Sequence, residues 1–428
     1  MARTRGLSPP DEEVAALAAK LTALVPKGPV VIALSGGADS AALALAAVSR
    51  EGPVRAITVD HGLPGSASLV AAAREIAAGL GLTHEVVEAH GSVSETDLRI
   101  ARIAAIEAAL RPGELVLTGH TQDDQAETVL GNLLRGAGLA GLAGIPARRG
   151  VWIRPMLDIS RETARRIAGQ AGLAFVDDPQ NDDPAIRRNQ LRQVTIPSLE
   201  SRYNPALKAA LARTARLAAA DDEALEERAA SVPIRREAEA VLVPAAALAT
   251  LPTPVAARVA RRAIRMLLDP YPGSAEDVAA VMGAVSGTIG QLSGGLLAER
   301  EGPFVTIHSP QAPAVPRPVE LPVPGSVRFG PWLIVSGEEG DAALGRQGAV
   351  IAATGPLVVR AVAPGDRIRV RGGTKKVFDA LGEAGVPRRL RSRWPVVESG
   401  GRIAWLVSIR AADERDGDVG VAATRVPE

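Results

Sequence analysis

Two stretches of this chain carry residue types whose spacing could do chemistry. The first is Ser35-Gly36-Gly37-Ala38-Asp39-Ser40, set between Val30-Val31-Ile32 and a run of alanines and leucines. Paired glycines let a backbone turn tightly and approach an anion with no Cβ in the way. A helix starting there points free N–H groups and its positive dipole end at that anion. Ser35 and Ser40 add hydroxyl donors, and Asp39, out of place beside a phosphate, suits an Mg2+ that bridges carboxylate and phosphate. No Lys-Ser/Thr pair follows the glycines and no third glycine stands at dinucleotide-fold spacing, so neither common nucleotide motif fits. The second stretch, Thr118 to Thr128, holds His120, Asp123, Asp124 and Glu127. On a helix beginning here, Asp123 and Glu127 (four apart) and Asp124 and Glu127 (three apart) share a face. One or two acids would serve the helix dipole; three beside a histidine point to a cation site, for Mg2+ or a substrate ammonium.

The elements that must position these residues follow from hydrophobic pattern. Ser8-Pro9 and Asp11 open a helix through about Leu24. Strands are predicted at Val30–Ile32, Val54–Val59, His84–Glu88 and Leu115–Leu117, separated by helices after Ala38, at Ser66–Leu80 and at Ser94–Leu110. Asp60-His61 ends the second strand and the acidic stretch follows the fourth, both at carboxyl ends, where open α/β sheets bind ligands. The alternation predicts an α/β domain over residues 1–200, a doubly wound parallel sheet. Gly136, Gly138, Gly141 and Gly144 then make a loop, either a lid or a linker. Helices at Asn204–Ala230, Pro254–Leu268 and Ser274–Ala284, with short strands near Leu297 and Val305–Ile307, make a helical middle domain, 201–310. Proline-rich Ser309–Pro324 reads as a linker. A small α+β domain, 325–412, opens with strands at Trp332–Val335 and Leu357–Val362. From Ala411 onward the chain reads as a mobile tail.

Composition bounds the function. With 49 Lys+Arg against 48 Asp+Glu the net charge is +1, so polyanion contacts must come from local patches. One such patch is clear: from Arg360 to Arg410 twelve Lys/Arg stand against four Asp/Glu, which suits a surface that tracks phosphates. Arg148, Arg149, Arg154, Arg161, Arg165 and Arg166, then Arg187, Arg188 and Arg192, are further guanidiniums able to grip phosphates; Arg188 and Arg192 share a helical face that contacts RNA or is simply solvated. There is no cysteine, which excludes thiolate zinc, disulfides and a cysteine nucleophile. Asp11, Glu12 and Glu13 precede any apolar signal core and no run of about twenty apolar residues occurs; the expectation is a cytoplasmic protein with no membrane partner.

The motif SGGADS resembles the PP-loop of the N-type ATP pyrophosphatases. Together with DHGL, GHTQDDQAET, RGAGLAGLAGIPARR and DDPQNDDPAIRRNQLR, the order over Val30 to Pro197 resembles that of the tRNA(Ile)-lysidine synthetase family. Two departures are visible: Gln180 where the family usually has Ser, and Thr121 where a second histidine is common. The middle helices with Gly294-Gly295, and GTKKVFDALGEAGVPRRLRSRWPVV beyond them, resemble that family's later domains. The resemblance implies a PP-loop that cleaves ATP between the α- and β-phosphates. It implies adenylation at C2 of a cytidine in the CAU anticodon of an isoleucine tRNA, and displacement of AMP by the ε-amine of free L-lysine. It also implies roles. Ser35, Gly36, Gly37, Ala38, Asp39 and Ser40 would hold ATP, with His120 either touching the nucleotide or ordering the acids, and Asp39 would hold Mg2+. Asp123, Asp124 and Glu127 would bind lysine, one of them taking its proton, and Arg187 would act near the reacting phosphates. Arg188, Arg192, Lys375, Lys376, Arg388 and Arg389 would bind tRNA. A homodimer through the middle helices is compatible with this reading. Three rivals are a PP-loop tRNA thiolase, which needs cysteines this chain lacks, an ammonia-dependent ligase, which leaves the basic C-terminal region without a role, and an RNA-binding protein with a decayed nucleotide fold, against which the intact carboxylates argue.

Overall fold

Strand β1 (Val30–Ala33) is the point at which the first sheet reverses direction. β2 (Val54–Asp60) pairs with it in parallel on one side and β4 (Leu115–Leu117) on the other, Val30 aligning with both Val54 and Leu115. β3 (Thr83–Glu88) lies outside β2, β6 (Trp152–Ile153) lies outside β4, and β5 (Arg148–Arg149) closes the edge antiparallel. The chain thus winds outward from β1 to β3 and returns to β4, which opens a crevice between the carboxyl ends of β1 and β4. This is the doubly wound parallel sheet expected from the sequence. The computed structural model describes residues 12–63, 65–89, 95–177, 187–237, 239–310, 315–338, 348–413 and 419–426. They fall into two compact units, Met1–Ala224 and Leu225–Glu428.

Burial explains the first unit's order. Val30, Val31 and Ile32 are at most 1% exposed, worth about 1.5–3 kcal/mol per side chain, and require cover on both faces. Helix α2 (Ala38–Val48) supplies it with Ala41, Ala42, Ala44 and Ala47, all fully buried. Such small side chains let it lie between the sheet and two helices, α1 (Glu12–Leu24) and α7 (Arg161–Gln170). Helices α3 (Ser66–Gly79) and α4 (Glu95–Ala108) complete the β-α alternation, and α5 (Gln122–Leu134) follows β4. Away from the crevice, buried Arg55 forks onto Glu114 with two 2.7 Å bonds. Beyond the short α6 (Leu139–Leu142), helix α8 (Arg187–Gln190) runs through a π turn, Leu191–Thr195, into α9 (Ile196–Arg202) and then α10 (Leu207–Ala230).

In the second unit the anticipated helices α12 (Thr253–Leu268) and α13 (Ala275–Ala284), with α11 (Ala245–Thr250), pack on a five-stranded sheet. Its strands are β7 (Arg235–Glu237), β8 (Ala240–Pro244), β9 (Gly290–Gln291), β10 (Leu297–Glu301) and β11 (Phe304–His308), ordered β7-β8-β11-β10-β9. β12 (Val319–Leu321) lies inside the stretch read as a linker. It begins the sheet ordered β12-β16-β19-β20-β17-β18, built from β16 (Leu357–Ala361), β17 (Arg367–Val370), β18 (Gly373–Lys376), β19 (Pro395–Ser399) and β20 (Arg402–Leu406), with β21 (Arg410–Ala411) on β20. Helices α14 (Val377–Glu383) and α15 (Arg388–Arg391) follow β18. A last sheet joins β13 (Gly325–Phe329), β14 (Trp332–Glu338), β15 (Gly348–Ile351) and β22 (Val419–Arg425).

The tail reading is corrected here. β22 pairs with β14 on one side and β15 on the other, and Val419, Val421 and Ala423 are buried. The segment contains small apolar residues and no large ones, so its hydrophobic pattern is faint, yet it is a central strand.

Candidate active site

The turn from β1 into α2 is built to approach an anion. Gly36 has φ +83°, and a Cβ there would stand 2.2 Å from the Leu69 carbonyl oxygen, so glycine is required by both conformation and space. Gly37 caps α2 without a side-chain cap, leaving the helix start to a ligand. Ser40 Oγ donates to the Gly37 carbonyl at 2.9 Å and lies 3.0 Å from Ser35 Oγ, so both hydroxyls sit at that helix start. Across the crevice, a Cβ on Gly119 would come within 3.0 Å of the Asp39 backbone. That glycine lets the loop after β4 pass against the first turn of α2.

The carboxylates stand on the next helix start. Thr121 caps α5, its N–H and its hydroxyl both donating to Asp124 Oδ2, at 2.7 and 2.9 Å. Asp123, Asp124 and Glu127 are all buried. Three guanidiniums and one ammonium face them. Arg161 donates from Nη2 to Asp124 at 3.0 Å and from Nε to Asp39 at 3.4 Å, and its backbone N–H reaches Asp123 at 2.8 Å. Arg188 bridges Glu127 (2.7 Å) and Asp124 (2.6 Å), and Arg192 bonds Glu127 at 2.6 Å. Lys208 Nζ lies 2.9 Å from Asp123.

Protonation follows from these neighbours. Burial pushes Asp39 up to about 6, against the pull of Arg161. Burial also pushes Asp124 upward, but Arg161 and Arg188 outweigh it and hold the carboxyl below its ordinary value. His120 is driven down to about 4 by burial, with Asp124 opposing and Arg154 and Arg102 assisting, so it is neutral at neutral pH; Thr118 Oγ1 holds its Nδ1 at 2.9 Å.

A cavity of about 690 Å3 occupies the crevice. Its lining includes Ser35, Asp39, Ser40, Gly119 and His120 together with His61, Arg99, Arg102, Arg149 and Arg154. The Oδ1 atom of Asp39 is buried there and has no hydrogen-bond partner among the described residues. A hard cation fits that oxygen. Among the described residues no three His, Asp or Glu side chains are grouped to hold a metal by themselves, so an Mg2+ at Asp39 would take its other ligands from phosphates and water, as that ion commonly does.

The structure therefore brings Ser35 to Ser40, His120, Asp123, Asp124 and Glu127 to one crevice. Arg188 and Arg192, expected on an RNA-facing surface, point inward instead, because clustered buried carboxylates require paired cations. Arg187 is exposed at the start of α8; the residues before it, Asp178–Ile186, lie outside the described residues. Two site residues were not singled out from sequence. Arg161 was one of many arginines, marked only by Ser160 before it, which caps α7. Lys208 carried no local mark at all. In the second unit Lys376 and Arg388 are exposed, whereas Lys375 pairs with Glu383, and Arg389 pairs with Glu301 (3.0 Å) and Glu237 (3.3 Å). The β17–β18 hairpin also exposes Arg367 and Arg369, which alternate with buried Ile368, and Arg371 in its turn.

Residues 10–199 match the PP-loop domain family, and residues 357–426 match the family described as the TilS substrate C-terminal domain. A tRNA(Ile)-lysidine synthase from Thermus thermophilus is 34% identical over 412 residues, 93% of this chain and 72% of the relative. The chain belongs to the tRNA(Ile)-lysidine synthase family. Another of its members, from Salinispora arenicola, is 47% identical over 226 residues, covering 49% of this chain and 68% of that relative. Among solved structures, the U34-tRNA thiolase NcsA from Methanococcus maripaludis with its [4Fe-4S] cluster aligns with TM-score 0.40 and 20% identity over 48% of this chain and 79% of that one. As a member of the lysidine synthase family this chain is an enzyme, a PP-loop ligase that uses ATP. No helix among the described residues is long and apolar enough to cross a membrane.

Proposed function

We propose that this enzyme joins lysine to C2 of the first anticodon cytidine of a CAU isoleucine tRNA. The cytidine O2 attacks the α-phosphorus of ATP, the bond to the β-phosphate oxygen breaks, and pyrophosphate leaves. The lysine ε-amine then attacks C2, the C2–O bond breaks, AMP leaves, and the amine's proton passes to a carboxylate. The observation that carries this reading is the placement of three buried carboxylates, able to receive an amine, against the phosphate turn that holds Asp39. The backbone of Gly36, Gly37 and Ala38 with Ser35 and Ser40 cradles the phosphates, and neutral His120 orders the nucleotide's side of the cavity. Bound at Asp39, Mg2+ would supply charge neutralisation at the phosphates. Asp123, Asp124 and Glu127 orient the amine and take its proton, and Arg187 stands ready to meet the leaving pyrophosphate. Lys376, Arg388 and the arginines of the β17–β18 hairpin, with Lys375 and Arg389 in second place because they are already paired, track the tRNA backbone.

The test is pyrophosphate release from ATP with CAU isoleucine tRNA and radiolabelled lysine, with label counted in the RNA. Pyrophosphate together with labelled tRNA is the expected result. Pyrophosphate without label would overturn lysine as the nucleophile and bring forward an ammonia-dependent ligase.

A further inference from the structure

The four carboxylates Asp39, Asp123, Asp124 and Glu127 are faced by four cations, Arg161, Arg188, Arg192 and Lys208. The fourth differs from the others. Arg188 forks onto Asp124 and Glu127, Arg192 onto both oxygens of Glu127, and Arg161 spans Asp39 and Asp124. None of them can leave without breaking contacts at two points. Asp123 takes only a backbone N–H on Oδ2 and the Lys208 ammonium on Oδ1 among the described residues. Lys208 has a second seat close by, since its Nζ is 3.8 Å from Glu200 Oε2 on α9. Its side chain is 34% exposed, and an unbranched lysine stem is free to swing a point charge between two carboxylates. Its position is also costly on its own, because it lies in the first turn of α10, where the helix dipole disfavours a cation.

We infer that Lys208 sets the enzyme's affinity for its amine substrate. Its ammonium holds Asp123 while the site is empty and moves to Glu200 as a substrate ammonium enters. This rests on the lysine reading above. With Lys208 in place an incoming amine meets a cluster already neutralised; without it the cluster carries one uncompensated negative charge.

The test is steady-state kinetics with lysine varied at saturating ATP and tRNA. In Lys208→Met the KM for lysine falls about threefold to fivefold, the size of a partly exposed ion pair, while the KM for ATP stays put. In Lys208→Arg, whose fork does not leave Asp123 readily, it rises. Glu200→Gln removes the second seat and also raises it, so the proposal remains testable even where Lys208→Met folds poorly. An unchanged or raised KM in Lys208→Met, or an unchanged one in Glu200→Gln, overturns the proposal and leaves Lys208 a structural partner of Asp123. Label in tRNA from the unaltered chain keeps the two questions apart: its absence overturns the lysine reading and this proposal together, whereas its presence with an unmoved KM overturns this proposal alone.

Discussion

The crevice at the β1–α2 turn and the β17–β18 hairpin are both rich in charge, and they use it in opposite ways. In the crevice every carboxylate of the cluster is paired, most within 3 Å, in surroundings that push Asp39 up to about 6 and His120 down to about 4. On the hairpin Arg367, Arg369, Arg371 and Lys376 face solvent. Desolvated charge is strong, short in range and intolerant of imbalance; solvated charge is weak per contact, acts over about 10 Å and is screened by salt. The first suits chemistry on one group, the second the capture of a long polyanion.

The sharpest way to break this contrast is Asp39→Ala. Product formation is expected to fall by at least about a thousandfold, with tRNA binding measured by filter retention unchanged. Equal loss of binding would show that the two regions do not divide the work.

A smaller effect reads the crevice directly. The Asp39 carboxyl rises from its ordinary 3.8 to about 6 in the fold. Between those values the folded chain keeps a proton on Asp39 that the unfolded chain has lost, so this group's contribution to the stability of the ligand-free protein falls as pH rises through that window. His120, held down to about 4 from its ordinary 6.5, contributes a rise of opposite sign over nearly the same window. The fall amounts to about 2–3 kcal/mol. Denaturant titration across this range is expected to show that fall as the difference between the unaltered chain and Asp39→Asn, the substitution leaving the rise that His120 contributes and stabilising the ligand-free protein at neutral pH. A difference of the opposite sign between the two chains would mean that Arg161, not burial, governs Asp39.

The smallest effect belongs to the hairpin. Arg367→Ala with Lys376→Ala is expected to weaken tRNA binding and to reduce the slope of log affinity against log salt by at most about two, without changing the KM for ATP. An unchanged slope would move the tRNA surface elsewhere.

What was legible in the chain was local. The phosphate turn reads from six consecutive residues, and the carboxylates read from three-and-four spacing on one helix, so both could be assigned from sequence. The parallel sheet was legible because its strands are short apolar runs that need cover on both faces. Arg161 and Lys208 were not, because what makes them special is a contact with residues far along the chain. Arg188 and Arg192 were legible as a pair but not in direction, since nothing in their spacing says whether the face they share meets solvent or the carboxylates of α5. β7 and β8 escaped for another reason: each is short, and a single short apolar run such as Ala240–Val243 is ambiguous until a partner strand is known.

The central position of β22 bears on how the protein is made. The β13–β14 hairpin leaves the ribosome long before β22 exists, and Ile334, buried in the finished sheet, must wait with β14's backbone edge unpaired. Until then the nascent hairpin offers an open strand to any neighbour. In this sheet the risk of misassembly is thereby concentrated in the interval of synthesis between β14 and β22, just as in the first unit it falls between β1 and β4, for which the buried edge of β1 must also wait.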